Sequence, residues 1–326
     1  MPARTVSVAL LLVPSLLTAV LSAGCSGDAS SADPAKPAGA PPLNKEQAQR
    51  VLASYTDAAN RAGRRLDRRV LHTIETDPQL TMDAAAFKLR RAVKQPPPKL
   101  RYTDTAFYIP RLTGYPHWFA VGAVTGRGKQ AVRHAMLFTR AKEGAPWLLA
   151  ADPHPADAAL SRVALDPDGY ATPVGPEVKD LAVPPGKLPA THAALLTDGP
   201  GAAGASALAD GPRTSDTYKA LKQGEQTLAG RGVTLSSRFS ATPYTVHALR
   251  TKDRGALVWY VLKQHEAYSA SRRGRLAVSG DLVGLAPARS ARTRMDTTVL
   301  VQYLATVPPK GRATVNGMYR KAVGVR

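Results

Sequence analysis

Apolar residues recur at three- and four-residue steps near the start of the chain, which is the pattern of an amphipathic helix. The stripe consists of Val51, Leu52, Tyr55, Ala58, Ala59, Ala62, Leu66, Val70 and Ile74. Asn44 and Gln47 precede it with the three-residue spacing of a capping box, so a helix is predicted to begin there. A second helix is predicted from Asp77-Pro78, and the prolines at 96–98 end it.

Beyond these helices the pattern changes to short runs rich in β-branched and aromatic residues, which is typical of strands. In the first half, strands are predicted over residues 101–112, 118–124, 131–140 and 147–151. In the second half they are predicted over residues 233–239, 244–251, 256–268, 276–285, 294–307 and 314–325. The run 257–262 is apolar on both faces, which predicts a central, covered strand. Helices followed by meandering strands define an α+β fold.

A Pro-, Gly- and Ala-rich segment at 153–212 interrupts this order, with only a short helix predicted near 202–209. A weakly periodic helix from Thr214 to about Leu228 restarts the second half. So long a stretch without regular structure argues for a domain boundary. The chain is therefore predicted to contain a first α+β domain at 44–152, a connector at 153–212 and a second α+β domain at 213–326.

The first 24 residues predict a secretion signal, with Arg4 ahead of an apolar run and a small-residue tail. A membrane-spanning helix is the alternative, because the run is just long enough, although Pro14 would kink it. The tail Leu21-Ser22-Ala23-Gly24-Cys25 resembles the lipobox of bacterial lipoproteins. That resemblance implies cleavage between Gly24 and Cys25, after which Cys25 is the first residue and carries a diacylglyceryl lipid.

Residues 25–43 are rich in Ser, Ala, Gly and Pro and lack a hydrophobic period, so a disordered tether is predicted. Two acyl chains hold a protein on a bilayer far more firmly than one chain does. The predicted location is therefore the extracellular face of the cell membrane, reached through the lipid on Cys25. Because Cys25 is the only cysteine of the chain, no disulfide is expected.

The chain is strongly basic, with a formal net charge of +20 at pH 7. Such a field attracts anionic lipids and acidic wall polymers, and the secreted location argues against nucleic acid as a partner. Much of the charge is scattered, as the codon bias of a high-GC genome would also produce. The densest cluster consists of Arg61, Arg64, Arg65, Arg68 and Arg69. This cluster is either an anion-binding patch or an ordinary solvated helix face.

No enzyme class has a recognisable signature in the chain. Asp152-Pro-His154 is the nearest approach to a metal pair, but its flanking prolines favour a loop. The motif at 166–169 lacks the later oxygen ligands of a calcium loop and predicts a turn. His265 and Glu266 could act as acid and base, although adjacent strand residues point to opposite faces. Accordingly, no catalytic residue, metal or cofactor is predicted.

Two resemblances extend this interpretation. The lipobox, the tether and the helical segments NKEQAQRVLASYTDAANRA and IETDPQLTMDAAAFKLRRA resemble a family of uncharacterised lipoproteins from Streptomyces and related actinomycetes. Helices followed by curved antiparallel strands are similar to the cone-shaped fold of nuclear transport factor 2-like proteins. Neither resemblance implies an activity, because that cone occurs in both enzymes and binding modules.

The leading hypothesis is a membrane-anchored, non-catalytic binding or interaction module of the cell envelope. Its partners would be anionic lipids, wall polymers or another envelope protein, because the surface is basic and the lipid holds it at the membrane. The alternative is a small-ligand carrier or an enzyme that uses a cone-shaped pocket.

Overall fold

Five α-helices and ten strands occur in the part of the chain that the computed structural model describes, residues 39–272, 276–286 and 292–326. The helices are α1 (Lys45–Arg65), α2 (Arg68–Ile74), α3 (Gln79–Ala92), α4 (Leu188–Asp198) and α5 (Ser215–Ala229). The strands are β1 (Thr103–Tyr108), β2 (His117–Thr125), β3 (Val132–Arg140), β4 (Leu148–Ala151), β5 (His154–Pro155), β6 (Val233–Ala241), β7 (His247–Arg250), β8 (Ala256–Ala270), β9 (Arg294–Val307) and β10 (Thr314–Val325). These elements confirm the predicted α+β class.

The predicted capping box forms at the start of α1. Asn44 Oδ1 accepts a hydrogen bond from Gln47 N at 2.9 Å, and Gln47 Oε1 accepts one from Asn44 N at 2.7 Å. The apolar stripe that follows serves two helices, because Leu66 adopts a left-handed conformation and ends α1. The Asp67 side chain then caps α2 by accepting from Arg69 N at 2.9 Å.

The strands form two antiparallel sheets. The first is the meander β1-β2-β3-β4, and the second has the order β5-β10-β9-β8-β6, with β7 also paired to β8. The central position of β8 confirms the interpretation of its apolar run.

One predicted strand, at 276–285, is wrong. The chain there forms a short 3₁₀ turn at Gly280–Leu282. Gly284 has a φ of +83° and packs so closely on α3 that a Cβ would lie 2.5 Å from the Lys88 carbonyl oxygen. A left-handed residue interrupts an extended strand, so the apolar run does not form a strand at this point.

The first sheet is covered on one face by helix α1. Phe119, Met136 and Phe138 of this sheet belong to the same apolar cluster as Leu52 and Tyr55 of α1. The buried stripe of α1 therefore finds its partner in alternate residues of β2 and β3.

The opposite face of the first sheet packs against the second sheet. Trp118 and Leu137 share a cluster with Leu257 and Trp259 of β8. Trp259 also donates a hydrogen bond from Nε1 to the Ala135 carbonyl oxygen at 2.9 Å. This bond joins the two sheets through a buried indole.

The far face of the second sheet is covered by the predicted connector. Val183 precedes α4, and Leu188 and Leu195 lie on it; all three share a cluster with Val258 and Val301 of the sheet. The structure therefore does not confirm the predicted division into two domains, because the described residues group into one compact unit. Gly24, Cys25 and residues 26–38 of the predicted tether lie outside the described residues.

The chain crosses from the first sheet to the second in two residues. Strand β4 ends at Ala151, and β5 begins at His154, which pairs with Met318 of β10. Gly317 lies against Pro155, and a Cβ at this glycine would be 2.7 Å from the Pro155 Cα. The crossing thus depends on a position without a side chain.

Gly317→Ala is expected to lower the free energy of unfolding by about 1–3 kcal/mol, because the added methyl group meets the backbone of Pro155. Gly324→Ala is the matched control, since a Cβ there has the Thr298 Cβ, 3.8 Å away, as its nearest neighbour. Urea unfolding followed by tryptophan fluorescence measures both changes. Equal stability of the two variants would contradict the close approach.

Candidate functional site

A cavity of about 530 Å³ lies between α1, α2, α3 and the proline-containing segment at 96–100. Most of its wall is apolar, with Ala59, Leu71, Ala86, Phe87, Leu100 and three prolines. Tyr55, Glu75 and Asp83 contribute the polar groups of its interior. The cavity lies among the helices, so it differs from a pocket inside a cone of strands.

The polar groups of the cavity come from three helices that the packing brings together. Tyr55 lies on the buried face of α1. Glu75 ends α2, and its segment is held against β4 because Thr76 N donates to the Leu149 carbonyl oxygen at 3.0 Å. Asp83 lies one turn into α3. The Glu75 residue is only 2% exposed, which sets it at the base of the cavity.

Glu75 and Asp83 form a coupled pair of carboxyl groups. Burial, followed by the neighbouring Asp83 carboxylate, raises the pKa of Glu75 well above its ordinary value. Burial also raises the pKa of Asp83, while hydrogen bonds from Gln79 and Glu75 oppose this rise. Burial and the charge of Asp83 thus both favour the protonated form of Glu75.

Gln79 and Tyr55 contact these two carboxyl groups. Gln79 Nε2 donates to Asp83 Oδ2 at 3.0 Å, and the Tyr55 hydroxyl lies 3.5 Å from Glu75 Oε1. Burial raises the pKa of Tyr55, so the phenol keeps its proton at neutral pH. The base of the cavity therefore offers hydrogen-bond donors and acceptors with little net charge.

Gln302 connects the carboxyl pair to a second polar cluster. Its Nε2 donates to Gln79 Oε1 at 2.9 Å, and its Oε1 accepts from the backbone N of Asp152 at 2.6 Å. Gln302 lies on β9 and is completely buried. One amide thus links α3, the second sheet and the crossing between the sheets.

The second cluster consists of His134, Asp152 and His154. The Nδ1 of His134 lies 2.7 Å from Asp152 Oδ2, and the Nε2 of His154 lies 3.8 Å from the same oxygen. The other ring nitrogen of His134 is 2.8 Å from Thr125 Oγ1. Imidazole nitrogens and carboxylate oxygens are ligands of zinc-type cations, so these three residues could hold a metal.

The charges of His134 and Asp152 stabilise each other. Burial acts to lower the pKa of His134, but the charge and hydrogen bond of Asp152 outweigh it and raise that pKa. Burial likewise acts to raise the pKa of Asp152, and His134 together with His154 brings it well below its ordinary value. Asp152 is therefore ionised at neutral pH.

The predicted arginine cluster lies around the end of α1 and the start of α2, and all five side chains are exposed. Arg64 is the one member that lines the cavity, where it is joined by Arg90 and Lys99. Arg64 and Lys99 are exposed and Arg90 is partly exposed, so these three side chains form the basic mouth of the cavity. Arg61, Arg65, Arg68 and Arg69 do not line it.

His265 and Glu266 point to separate environments, as expected for neighbours on a strand. The nearest ion-pair partner of His265 is Asp296, with 3.6 Å between Nε2 and Oδ1. Glu266 Oε2 accepts from Thr297 Oγ1 at 2.8 Å. Neither residue lines the cavity between the helices.

Asp166 accepts hydrogen bonds from two following backbone amides, so the predicted turn at 166–169 is confirmed.

Glu75, Asp83, His134 and Gln302 were not predicted as site residues. His134 and Gln302 have a signal in the pattern, because each is a buried polar residue among apolar ones on a strand. His134 alternates with Met136 and Phe138 on β3, for example, and Gln302 interrupts the apolar run of β9. Such positions mark buried polar groups that need a partner.

The structure thus defines an α+β protein with two buried polar clusters. The chain belongs to the family described as Domain of unknown function (DUF8094), whose model matches residues 39–326. None of the helices within the described ranges is long and apolar enough to cross a membrane.

Three relatives from Streptomyces carry names that call them uncharacterized lipoproteins. One, from Streptomyces avermitilis, is 29% identical over 245 residues, which are 73% of this chain and 71% of that protein. One from Streptomyces coelicolor is 29% identical over 244 residues, or 71% and 70% of the two chains. Another from Streptomyces coelicolor is 26% identical over 323 residues, or 93% and 89%.

These relatives confirm the predicted resemblance to Streptomyces lipoproteins, and they support a lipoprotein. No solved structure is significantly similar to the chain, so the resemblance to the nuclear transport factor 2-like fold is not confirmed.

Glu75→Gln is expected to become increasingly stabilising, relative to the natural chain, as the pH rises. The pKa of Glu75 is raised from 4.5, so above that pH the folded state binds more protons than the unfolded chain. The natural protein therefore loses stability up to the folded pKa, by at most about 1.4 kcal/mol per pH unit. The glutamine amide has a similar shape but does not titrate.

Urea unfolding between about pH 5 and about pH 8 gives the stability difference between variant and natural protein. Glu46→Gln is the control, because Glu46 is an exposed carboxylate in the first turn of α1. It should leave the pH dependence unchanged. If the stability difference for Glu75→Gln is the same at every pH, the pKa of Glu75 is not raised in the folded protein.

Proposed function

We propose that the protein is a lipid-anchored binding protein of the cell envelope that takes up an apolar small molecule with an acidic head group. The observation that carries this proposal is the cavity between α1, α2 and α3. Its walls are apolar, its base holds the Glu75 carboxyl group, whose pKa is raised, and its mouth is basic. This proposal adopts the carrier alternative and keeps the envelope location.

The apolar walls select the body of the ligand. A volume of about 530 Å³ lies within the usual range for small-molecule pockets. Transfer of apolar surface from water to such walls contributes about 25 cal/mol for each Å². Leu71 and Phe87 are both buried and belong to these apolar walls.

The base of the cavity selects an uncharged polar group at the inner end of the ligand. Glu75 is protonated, so it can turn its proton towards an acceptor, while Tyr55 can donate or accept. The Glu75 Oε2 atom is buried and has no donor among the described residues. A hydroxyl or amide on the ligand would give this atom a partner without burying a full charge.

The mouth of the cavity selects an anionic head group. Arg64, Arg90 and Lys99 line it, and the net charge of +20 adds a field of the same sign. Anionic lipids carry such a head group on an apolar body, and they are abundant where a lipid anchor on Cys25 would hold the protein. The function proposed is binding without a chemical step.

The head-group preference is tested with a soluble chain that begins at residue 39 and three dodecyl probes: the phosphate, the alcohol and the trimethylammonium ion. Dodecyl phosphate is expected to bind roughly tenfold more tightly than the ammonium probe, because exposed ion pairs contribute up to about 1 kcal/mol each. Dodecanol should lie between them. Calorimetric titration below the micelle concentration measures the three affinities.

Two substitutions and one control locate the binding. Ala86→Trp fills the cavity and should abolish binding of all three probes, since Ala86 lines it. Arg64→Gln should reduce the preference for phosphate, whereas Arg61→Gln, also exposed on α1 but outside the cavity, should not. Equal affinities for the three head groups would exclude the basic mouth as the selector. No saturable binding, or binding that survives Ala86→Trp, would exclude the cavity.

The anchor is proposed on Cys25, which the lipobox resemblance and the lipoprotein relatives support. Cys25→Ser is expected to leave a larger precursor without acyl groups, because serine lacks the thiol that accepts the lipid. Mass spectrometry of the N-terminal peptide and protease treatment of intact cells measure acylation and extracellular exposure. A native N-terminus elsewhere, without acyl mass, would refute the anchor.

A further inference from the structure

We propose that His134, Asp152 and His154 bind a divalent transition-metal cation of the zinc type. The three residues come from β3, from the crossing between the sheets and from β5. One ligand atom from each lies within 4.8 Å of the other two. This site is separate from the cavity between the helices and does not depend on its ligand.

The spacing of the ligand atoms suits a tetrahedral cation. Zinc binds imidazole nitrogen and carboxylate oxygen at about 2.0–2.2 Å, so tetrahedral ligand atoms lie about 3.4 Å apart. The two separations from Asp152 Oδ2 are 2.7 Å to His134 Nδ1 and 3.8 Å to His154 Nε2. These values bracket the required distance.

Asp152 has an oxygen that calls for a further partner. The residue is 7% exposed, and its Oδ1 atom is buried without a hydrogen-bond partner in the described part of the chain. A buried acceptor left unpaired costs about 1–3 kcal/mol, and more when it is charged. A cation held by this carboxylate supplies the missing interaction.

The ligands are held in place by a second layer of hydrogen bonds. With Nε2 of His134 bonded to Thr125 Oγ1, the other ring nitrogen is directed at Asp152. The backbone of Asp152 is held by Gln302 Oε1 at 2.6 Å. Metal-binding histidines commonly use their second nitrogen in this way, which orients the ring.

A route from solvent reaches the site. The His154 side chain is 33% exposed, and His134 lines a cavity of about 290 Å³. Asp157 lines the same cavity, and its Oδ1 also has no hydrogen-bond partner among the residues described. Three protein ligands leave a coordination position that water or a ligand from this cavity can occupy.

The test uses the full chain, purified in mild detergent and stripped with a chelator, and titrates it with Co²⁺ and then Zn²⁺. One equivalent of Co²⁺ is expected to give visible absorption bands, which Zn²⁺ then removes by displacement. Asp152→Asn and His154→Ala should each weaken Zn²⁺ binding by about tenfold or more. His72→Ala is the matched control, because His72 is exposed on α2 and should not change the affinity.

The His154 side chain is partly exposed, so its replacement is compatible with folding. Circular dichroism checks both variants. If Asp152→Asn does not fold, His154→Ala decides alone. The proposal is overturned if no stoichiometric binding occurs, or if folded His154→Ala binds Zn²⁺ as tightly as the natural chain. Tighter binding of Ca²⁺ than of Zn²⁺ would also overturn it, since calcium prefers oxygen ligands.

Discussion

The buried amide of Gln302 is the interaction on which the arrangement of both clusters depends. It has no contact with water, so its donor and acceptor groups must be satisfied by protein. Gln79 on α3 accepts from it, and the backbone of Asp152 donates to it. Moving either α3 or the crossing would leave a buried polar group unpaired, at a cost of about 1–3 kcal/mol. The helical layer and the second sheet are therefore held in a fixed position relative to each other.

Three acidic side chains lie in the interior close to these two clusters. Glu75, Asp83 and Asp152 are each stabilised in a different way. Glu75 keeps a proton, Asp83 accepts hydrogen bonds, and Asp152 is paired with His134. A chain with a net charge of +20 thus has a core that is locally acidic.

Local patterns predicted much of the fold. The capping box of Asn44 and Gln47 and the periodic stripe gave the start of the helical layer, because these signals depend on neighbours three and four residues apart. The same patterns missed α4, whose sides are mostly apolar, and misjudged 276–285, where Gly284 takes a left-handed conformation against α3. Both errors arise where contacts with distant segments override local preference.

The sequence by itself determined the α+β class, the central strand and the basic charge, since each is written in consecutive or regularly spaced residues. Only the tertiary structure decided that Glu75 meets Asp83 and that His134 meets Asp152 and His154. The carboxyl pair is joined by the packing of α2 on α3, and the histidine cluster by the crossing of the chain between two sheets. Such meetings depend on long-range packing, which residue spacing along a chain does not encode in any local pattern.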